Sequence, residues 1–314
     1  MTENIKILIP LYNDWDALEL LLTKIKHSVT SELFAHLNFV IVDDCSSIEC
    51  DVNRFGSYKL EIIRLHRNVS HQKAIALGLS YITKETEFSK VVVMDSDGED
   101  KPEDIQRLYE ASLQTPDKII FAKRSKRSES IAFRFFYVIY KSIFVLLTGK
   151  VIEFGNFSII PNRLAGKLTY VSEIWNHFPG GIIRSKLPYT SIPIERGTRL
   201  AGNSKMNFIS LVLHGLSAIS VHLDTTAARM LIGSLILMVA SIGVAIVVTV
   251  IRLTTNWASP GWATTLVTGA TIIILQAFLS SLFLLFTVLN YRTQKHFIPA
   301  IDYKDFIEKV DRTF

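Results

Sequence analysis

At 314 residues the chain has room for one full domain and a further region. A hydrophobic share of 49%, much of it in the last third, comes with a charge of only +5, which suits an anionic surface or substrate and gives no reason to expect nucleic acid. Cys45 and Cys50 have no His or Cys cluster around them, which argues against a zinc site or a disulfide framework and fits a reducing compartment.

The first residues, Met1 to Lys6, carry no basic stretch followed by an apolar one, so no signal peptide is expected. Lys6-Ile7-Leu8-Ile9-Pro10 reads as a strand ended by proline. Asn13-Asp14 can cap a helix from Trp15 to about Ser28, with Leu18, Leu21, Leu22 and Ile25 on one face. Phe39–Val42 is a second strand running into Asp43-Asp44, and Leu60–Leu65 a third ending in His66-Arg67-Asn68. A helix from His71 to Thr83 follows, with His71 itself reading as a structural or surface histidine. The run Val91-Val92-Val93-Met94 reads as a buried strand that drives into Asp95-Ser96-Asp97-Gly98-Glu99-Asp100. Pro102 to Leu113 is helical, and Lys118–Ala122 is a strand ahead of a basic loop holding Lys123, Arg124, Lys126 and Arg127. Strands alternating with helices in this way predict a doubly wound, mostly parallel α/β sheet.

After Ser130 the pattern changes. Ile131 to Leu147 sets Arg134 and Lys141 among aromatics and reads as a helix lying in a membrane interface; Lys205 to Leu223 is a second of this sort. Met230–Ile251 and Ala263–Leu289 carry no charged residue, and each can span roughly 30 Å of hydrocarbon. Trp257 and Trp262 between them fit an interfacial belt, so the two read as a transmembrane hairpin. Lys205, Arg229, Arg292 and Lys295 flank its open end against Arg252 alone in the linker, which puts the large N-terminal part and the C-terminus in the cytoplasm. Asp302 to Phe314 is polar and is expected to form at most a small helix.

Several strands end in polar or acidic residues, and in open α/β sheets ligands bind at that carboxyl edge. Asp43 or Asp44 there can accept hydrogen bonds from a ribose or a base, although Asp43 can equally cap a turn. Neither Gly-x-Gly-x-x-Gly nor Gly-x-x-x-x-Gly-Lys-Ser/Thr is present, so the phosphates of a nucleotide need another counter-charge. Asp95 and Asp97, one residue apart at a strand exit, can supply it through Mg²⁺ or Mn²⁺. The plain alternative is a solvated acidic turn leading into the helix at Pro102.

Ile9-Pro10-Leu11-Tyr12-Asn13, Val42-Asp43-Asp44-Cys45-Ser46 and Met94-Asp95-Ser96-Asp97-Gly98-Glu99-Asp100 resemble three signature segments of family 2 glycosyltransferases of the GT-A fold. Arg67-Asn68-Val69-Ser70-His71-Gln72, Gly155-Asn156-Phe157-Ser158, and Arg196, Arg199 with Gly202-Asn203-Ser204-Lys205 resemble segments of the polyprenyl-phosphate branch of that family. The resemblance implies that Asp44, with Pro10 and Tyr12, binds the donor nucleoside. It implies that Asp95 contacts ribose or metal and that Asp97 ligates the metal with Glu99 near it. Arg124, Arg127, Arg196, Arg199 and Lys205 would hold the donor diphosphate and the lipid phosphate. Asn13, Asp43, Asn68, Gln72, Asn156 and Ser204 complete the implied substrate-facing set. The chain departs from the pattern where Cys45 and Ser70 replace glycines, where Ser158 replaces an arginine, and where Asn156 fills an often acidic position.

The implied activity is inverting transfer of a hexose from a UDP- or GDP-linked sugar to an undecaprenyl or dolichyl phosphate, with Mg²⁺ or Mn²⁺. The implied organisation is a nucleotide-sugar-binding core over residues 1–130, an acceptor-side part over 131–228, two transmembrane helices over 229–291 and a cytoplasmic tail over 292–314. This places the protein in the cytoplasmic membrane in contact with lipid, and leaves a homo-oligomer open. Two other readings stand beside it: a different lipid or glycan acceptor, and a non-catalytic membrane scaffold that binds nucleotide sugar.

Overall fold

The computed structural model describes residues 3–124, 131–195, 197–201, 208–254, 261–292 and 297–313, with the backbone alone for 131–137, 208–210, 262 and 291–292. In chain order the elements are β1 (Ile5–Leu11), α1 (Trp15–Ser28), α2 (Ser31–Ala35), β2 (Leu37–Asp43), β3 (Leu60–Leu65), α3 (His71–Glu85), β4 (Lys90–Val93), α4 (Glu103–Gln114), β5 (Ile119–Arg124), α5 (Ile131–Thr148), β6 (Ser158–Pro161), α6 (Asn162–Leu168), α7 (Phe178–Ser185), β7 (Tyr189–Ile194), α8 (Phe208–Ser220), α9 (Leu223–Thr254), α10 (Trp262–Arg292), α11 (Pro299–Asp302) and β8 (Ile307–Arg312). They fall into two units: Met1–Phe136 with Ile152–Val221 and His296–Phe314, and Tyr137–Val151 with His222–Lys295.

In the first unit, side-chain alternation along the strands builds the layers. Ile5, Ile7, Ile9 and Leu11 of β1 pack with Leu18, Leu22 and Ile25 of α1 and Leu108 of α4, while Leu8 faces Ala74 and Leu77 of α3 on the other side. The sheet is therefore covered on both faces, which is why its central strands read as unbroken apolar runs. Its order is β7-β5-β6-β4-β1-β2-β3-β8. Four strand pairs are parallel (β1 with β2, β1 with β4, β2 with β3, β5 with β7), and β3–β8, β4–β6 and β5–β6 are antiparallel. The expected α/β architecture is present, with a more mixed sheet than the alternation of strands and helices suggests.

Two expectations need correction. Pro10 does not end β1, which runs on to Leu11 in register with Asp43. Met94 donates to Leu8 and Asp44 to Leu11, so even-numbered residues of β1 bond toward β4 and odd-numbered ones toward β2. The missing N–H of Pro10 thus falls beyond the last β4 pair, Leu8 with Val93, where no ladder bond is lost. The polar tail is also not simply a small helix. After α11 and a turn it forms β8, an edge strand antiparallel to β3. Arg312 from this strand joins Lys6 and Tyr81 around the buried carboxylate of Glu61, at 3.4, 3.1 and 2.9 Å.

In the second unit, α9 and α10 pack along each other and are long and apolar enough to cross a membrane, with mean hydropathies of 2.7 and 2.5 over their most apolar windows. Arg229 donates to the carbonyls of Leu146 and Val145 at 2.9 and 3.3 Å, capping the C-terminal end of α5 with a cation. A charge counted above toward topology thus also fastens α5 to α9. Lys205, Trp257 and Lys295 lie outside the described residues, and of Arg134, Trp262 and Arg292 only the backbone is described.

Candidate active site

The carboxyl ends of β1, β2, β3 and β4 lie side by side, so the loops that leave them share one edge. At the β2 exit the acids turn inward. Asp43 accepts from the Ser46 N–H at 2.9 Å and pairs with Arg64 at 3.3 Å, and Arg64 also holds Asp311 of β8 at 2.7 Å. Asp44 accepts from the N–H groups of Val69 and Ser70, at 2.6 and 2.9 Å. Burial pushes its carboxyl up to about 6 despite these two donors. Asn68 donates to the Asp44 carbonyl at 3.1 Å, and Asn13 stitches β1 to the same loop through Ser46, Ser47 and Ile48. Pro10 is buried in β1, and Tyr12 is exposed beyond it.

Two departures from the family pattern, Cys45 after β2 and Ser70 just before α3, fall where the backbone takes a glycine-type conformation. Cys45 has φ 58° and Ser70 has φ 83° with ψ 159°, conformations that favour glycine. The residues differ from the family while the backbone keeps the glycine-type turn.

At the β4 exit the carboxylates face other side chains. Asp97 accepts from the Glu99 N–H at 2.9 Å and pairs with Arg199 at 3.0 Å, and Arg199 reaches Asp14 at 2.6 Å. The segment carrying Arg199 is strapped across this turn by the Leu200 N–H on the Asp97 carbonyl (2.9 Å) and the Gly197 N–H on the Glu99 carbonyl (2.8 Å). Gly98, at φ 82°, has the Leu200 side chain where a Cβ would stand, so the turn tolerates no side chain there. Asp100 is buried, accepts from the Asp95 N–H at 3.0 Å and pairs with Arg124 at 3.2 Å. Burial and the neighbouring Asp95 charge hold its carboxyl well above the usual range. Burial also opposes ionisation of Asp95, but His71 and Arg124 outweigh it and hold its carboxyl low. Asp97 is raised, by burial and then by the charge of Asp95.

His71 stands beside Asp95, with Nε2 3.1 Å from Oδ1. Asn156 lies 3.1 Å from the same ring nitrogen and accepts from Gln72 at 3.2 Å, while Gln72 accepts from the Phe178 N–H at 2.6 Å. Ser158 is fully buried and donates back to the Asn156 carbonyl at 2.9 Å. Sequence reasoning passed over His71 and Asp100. The signal for the first was its place one turn after the Arg67-Asn68 strand exit, at the start of a helix; for the second, a third acid within the Asp95–Asp100 run.

Of the expected metal residues, Asp95 and Asp97 sit together on the β4 exit, whereas Glu99 reaches toward Arg124, 3.7 Å away. Among the described residues no three acidic, histidine or cysteine side chains gather into a metal cluster. A hard divalent cation needs only one or two carboxylates when phosphate and water complete its shell. Oδ1 of Asp95 is buried, and the His71 nitrogen 3.1 Å from it is not aligned as a donor, so this oxygen keeps acceptor capacity for a cation. Arg127, Arg196, Ser204 and Lys205 lie outside the described residues.

Residues 6–172, just over half of the chain, match the family model of Glycosyl transferase family 2. An undecaprenyl-phosphate 4-deoxy-4-formamido-L-arabinose transferase from Sodalis glossinidius is 27% identical over 280 residues, covering 82% of this chain and 80% of that protein. An uncharacterized glycosyltransferase from Synechocystis is 23% identical over 221 residues, 67% of each chain. Among solved structures, glucosyl-3-phosphoglycerate synthase from Mycobacterium tuberculosis, in complex with Mn²⁺, UDP and glucosyl-3-phosphoglycerate, aligns over 71% of this chain and 80% of that one, with 14% identity and a TM-score of 0.49. A sheet whose strand exits gather paired acids and arginines on one edge, in a chain matched by that model over just over half its length, belongs to glycosyl transferase family 2 and is a glycosyltransferase.

Proposed function

We propose that this enzyme transfers a sugar, inverting its anomeric centre, from a nucleoside diphosphate to a polyprenyl phosphate at a membrane surface. The carrying observation is the β4 exit, where Asp95 and Asp97 stand with Arg199 and Arg124 around one acidic turn. The Sodalis relative supports the acceptor, since its name specifies undecaprenyl phosphate. Two helices long and apolar enough to cross a membrane support the site of action.

In this reading Asp44 faces the donor nucleoside, helped by Pro10 and Tyr12, with Asn13, Asp43 and Asn68 shaping its loop. Asp97 and Asp95, with Glu99 near them, would hold Mg²⁺ or Mn²⁺, which would supply positive charge for the donor diphosphate. Arg199 exchanges Asp97 for phosphate oxygens, since a guanidinium grips two of them at once. Arg124, Arg127, Arg196, Ser204 and Lys205 complete the anion-binding set, and Asn156, backed by the buried Gln72, belongs to the substrate-facing set. The acceptor phosphate is anionic at neutral pH, so it attacks without a strong general base and positioning dominates. The large N-terminal part and the C-terminus lie in the cytoplasm, by the excess of Lys205, Arg229, Arg292 and Lys295 over Arg252.

The test incubates membranes containing the enzyme with polyprenyl phosphate and labelled donors, with and without EDTA. UDP- and GDP-hexoses are compared with UDP-4-deoxy-4-formamido-L-arabinose, because the relative's named sugar is a modified pentose. A lipid-linked sugar that disappears with EDTA and returns with Mn²⁺ or Mg²⁺ is expected. Donor consumption without a lipid-linked product would move the acceptor to another class, and transfer that EDTA leaves untouched would remove the metal from the mechanism.

A further inference from the structure

The side chains behind Asp95 form a continuous chain whose hydrogen-bond direction is set at one end. The Phe178 N–H, at the start of α7, can only donate, so it fixes Oε1 of Gln72 as the acceptor at 2.6 Å. Nε2 of Gln72 then faces Asn156 and donates to its Oδ1 at 3.2 Å. Nδ2 of Asn156 is thereby the donor end of the chain: it lies 3.1 Å from Nε2 of His71 and hydrogen-bonds the Asp95 carboxylate. The same ring nitrogen is 3.1 Å from Oδ1 of Asp95. Gln72 is buried, so this chain is anchored in the packing of α3 against α7.

Asp95 needs such an anchor. Its backbone N–H is held by Asp100, and its side chain lies near two further acids, Asp97 two residues on and the buried Asp100, of which Asp100 is paired with Arg124. Repulsion from those carboxylates favours rotation away from the turn, and an imidazole fixed 3.1 Å from Oδ1 opposes it.

We propose that His71 is a positioning residue for Asp95, acting beside Asn156, whose amide Gln72 orients, and that it keeps the carboxylate aimed at the donor-side cation and diphosphate. The inference rests on the metal-dependent transferase reading but can fail or stand separately from it. His71 touches neither reacting atom; it acts through Asp95, as groups behind a first ligand do elsewhere, where their removal costs about 10–100-fold in metal affinity or activity.

The experiment uses the full chain in detergent and compares the wild type with His71→Ala, His71→Gln and Asn156→Leu. Two quantities are read: the Mn²⁺ concentration giving half-maximal thermal stabilisation in the presence of UDP or GDP, and kcat with KM for donor and for polyprenyl phosphate. His71→Ala should raise the Mn²⁺ requirement and lower kcat by roughly 10–100-fold, with the polyprenyl phosphate KM changed less than twofold. His71→Gln, whose amide can take the place of Nε2, should recover most of that loss. Asn156→Leu should raise the Mn²⁺ requirement by a smaller factor. Unchanged Mn²⁺ dependence in His71→Ala overturns the inference, and so does equal impairment of the Ala and Gln variants. If no lipid-linked sugar forms while the His71→Ala shift in Mn²⁺ dependence persists, the acceptor reading fails and the positioning role stands. If the wild type shows no stabilisation by Mn²⁺ with either nucleotide, the positioning role fails too.

Discussion

The β2 and β4 exits carry the same residue type in nearly the same pattern, yet they use it in opposite ways. Asp43 and Asp44 spend their oxygens on the protein itself: the Ser46, Val69 and Ser70 N–H groups and Arg64 account for them. Asp95 and Asp97 lie against side chains that can move, His71 and Arg199, with one backbone donor, the Glu99 N–H, on Asp97, and the His71 nitrogen beside Oδ1 of Asp95 is not aligned as a donor to it. Backbone donors are fixed by the fold and cannot be displaced without unfolding a turn, whereas a guanidinium can exchange a carboxylate for a phosphate. Acids of the first kind build the loop that shapes a binding surface, and acids of the second kind are left available for chemistry.

The strongest way to break this contrast is to neutralise one acid at each exit. Asp97→Asn should lower kcat by roughly 10²–10³-fold, the scale of losing one group that acts on developing charge, with the melting temperature little changed. Asp43→Ala should instead cost about 1–3 kcal/mol of stability by leaving Arg64 and the Ser46 N–H short of an acceptor. Its folded fraction should keep kcat within severalfold of the wild type. Denaturant melts and steady-state kinetics on both variants decide it. A stable but inactive Asp43→Ala would place both exits in the chemistry and erase the distinction.

Local pattern carried much of this from the sequence alone. Apolar runs ending in Asp44 and in Asp95–Asp97 marked both exits, because strand burial and the strand stop are local properties. What escaped depends on contacts distant in sequence. β8 is visible only once β3 presents an open edge some 250 residues earlier, as the Arg64–Asp311 pair illustrates. β6 and β7 are short strands between helices with no strong alternation, and their pairing with β4 and β5 decides them. His71 read as a structural or surface histidine because nothing near it in sequence names Asp95 or Asn156 as its neighbours. Glu99, which the family resemblance sets near the metal, lies 3.7 Å from Arg124, a neighbour 25 residues on that local pattern does not name.

The contrast can be sharpened with pH. Asp44 is the β2-exit acid the proposal places against the donor nucleoside, and burial raises its carboxyl to about 6. As pH falls through that value the carboxylate takes a proton and loses acceptor strength, and at pH 5 only about one tenth remains ionised. Donor KM should therefore rise up to about tenfold between pH 7.5 and 5, and Asp44→Asn should raise KM at neutral pH and flatten this limb. A wild-type donor KM that is level across that range would mean that the ionised Asp44 carboxylate is not what the donor meets.

The smallest expected effect probes what the two loops after β2 and β3 cost to hold. Ser70 occupies φ 83°, ψ 159°, a region open essentially to glycine, and its side chain makes no capping hydrogen bond to α3. Cys45 occupies φ 58°, the milder left-handed region, and its thiol makes one weak contact with the His66 carbonyl at 3.8 Å. A left-handed conformation costs an L-residue about 1–2 kcal/mol, and glycine's greater freedom in the unfolded chain gives back about 0.5–1 kcal/mol of any gain. Ser70→Gly should thus stabilise the protein by about 0.5–1 kcal/mol, and Cys45→Gly by less, because it also loses the thiol contact. Neither change removes the Ser70 N–H that Asp44 accepts, so donor KM should stay within about twofold, since that bond comes from the backbone. Glycine variants that melt earlier than the wild type would show that these two side chains support the loop rather than strain it. A donor KM that climbs with them would show that the strain itself shapes the nucleoside-facing surface.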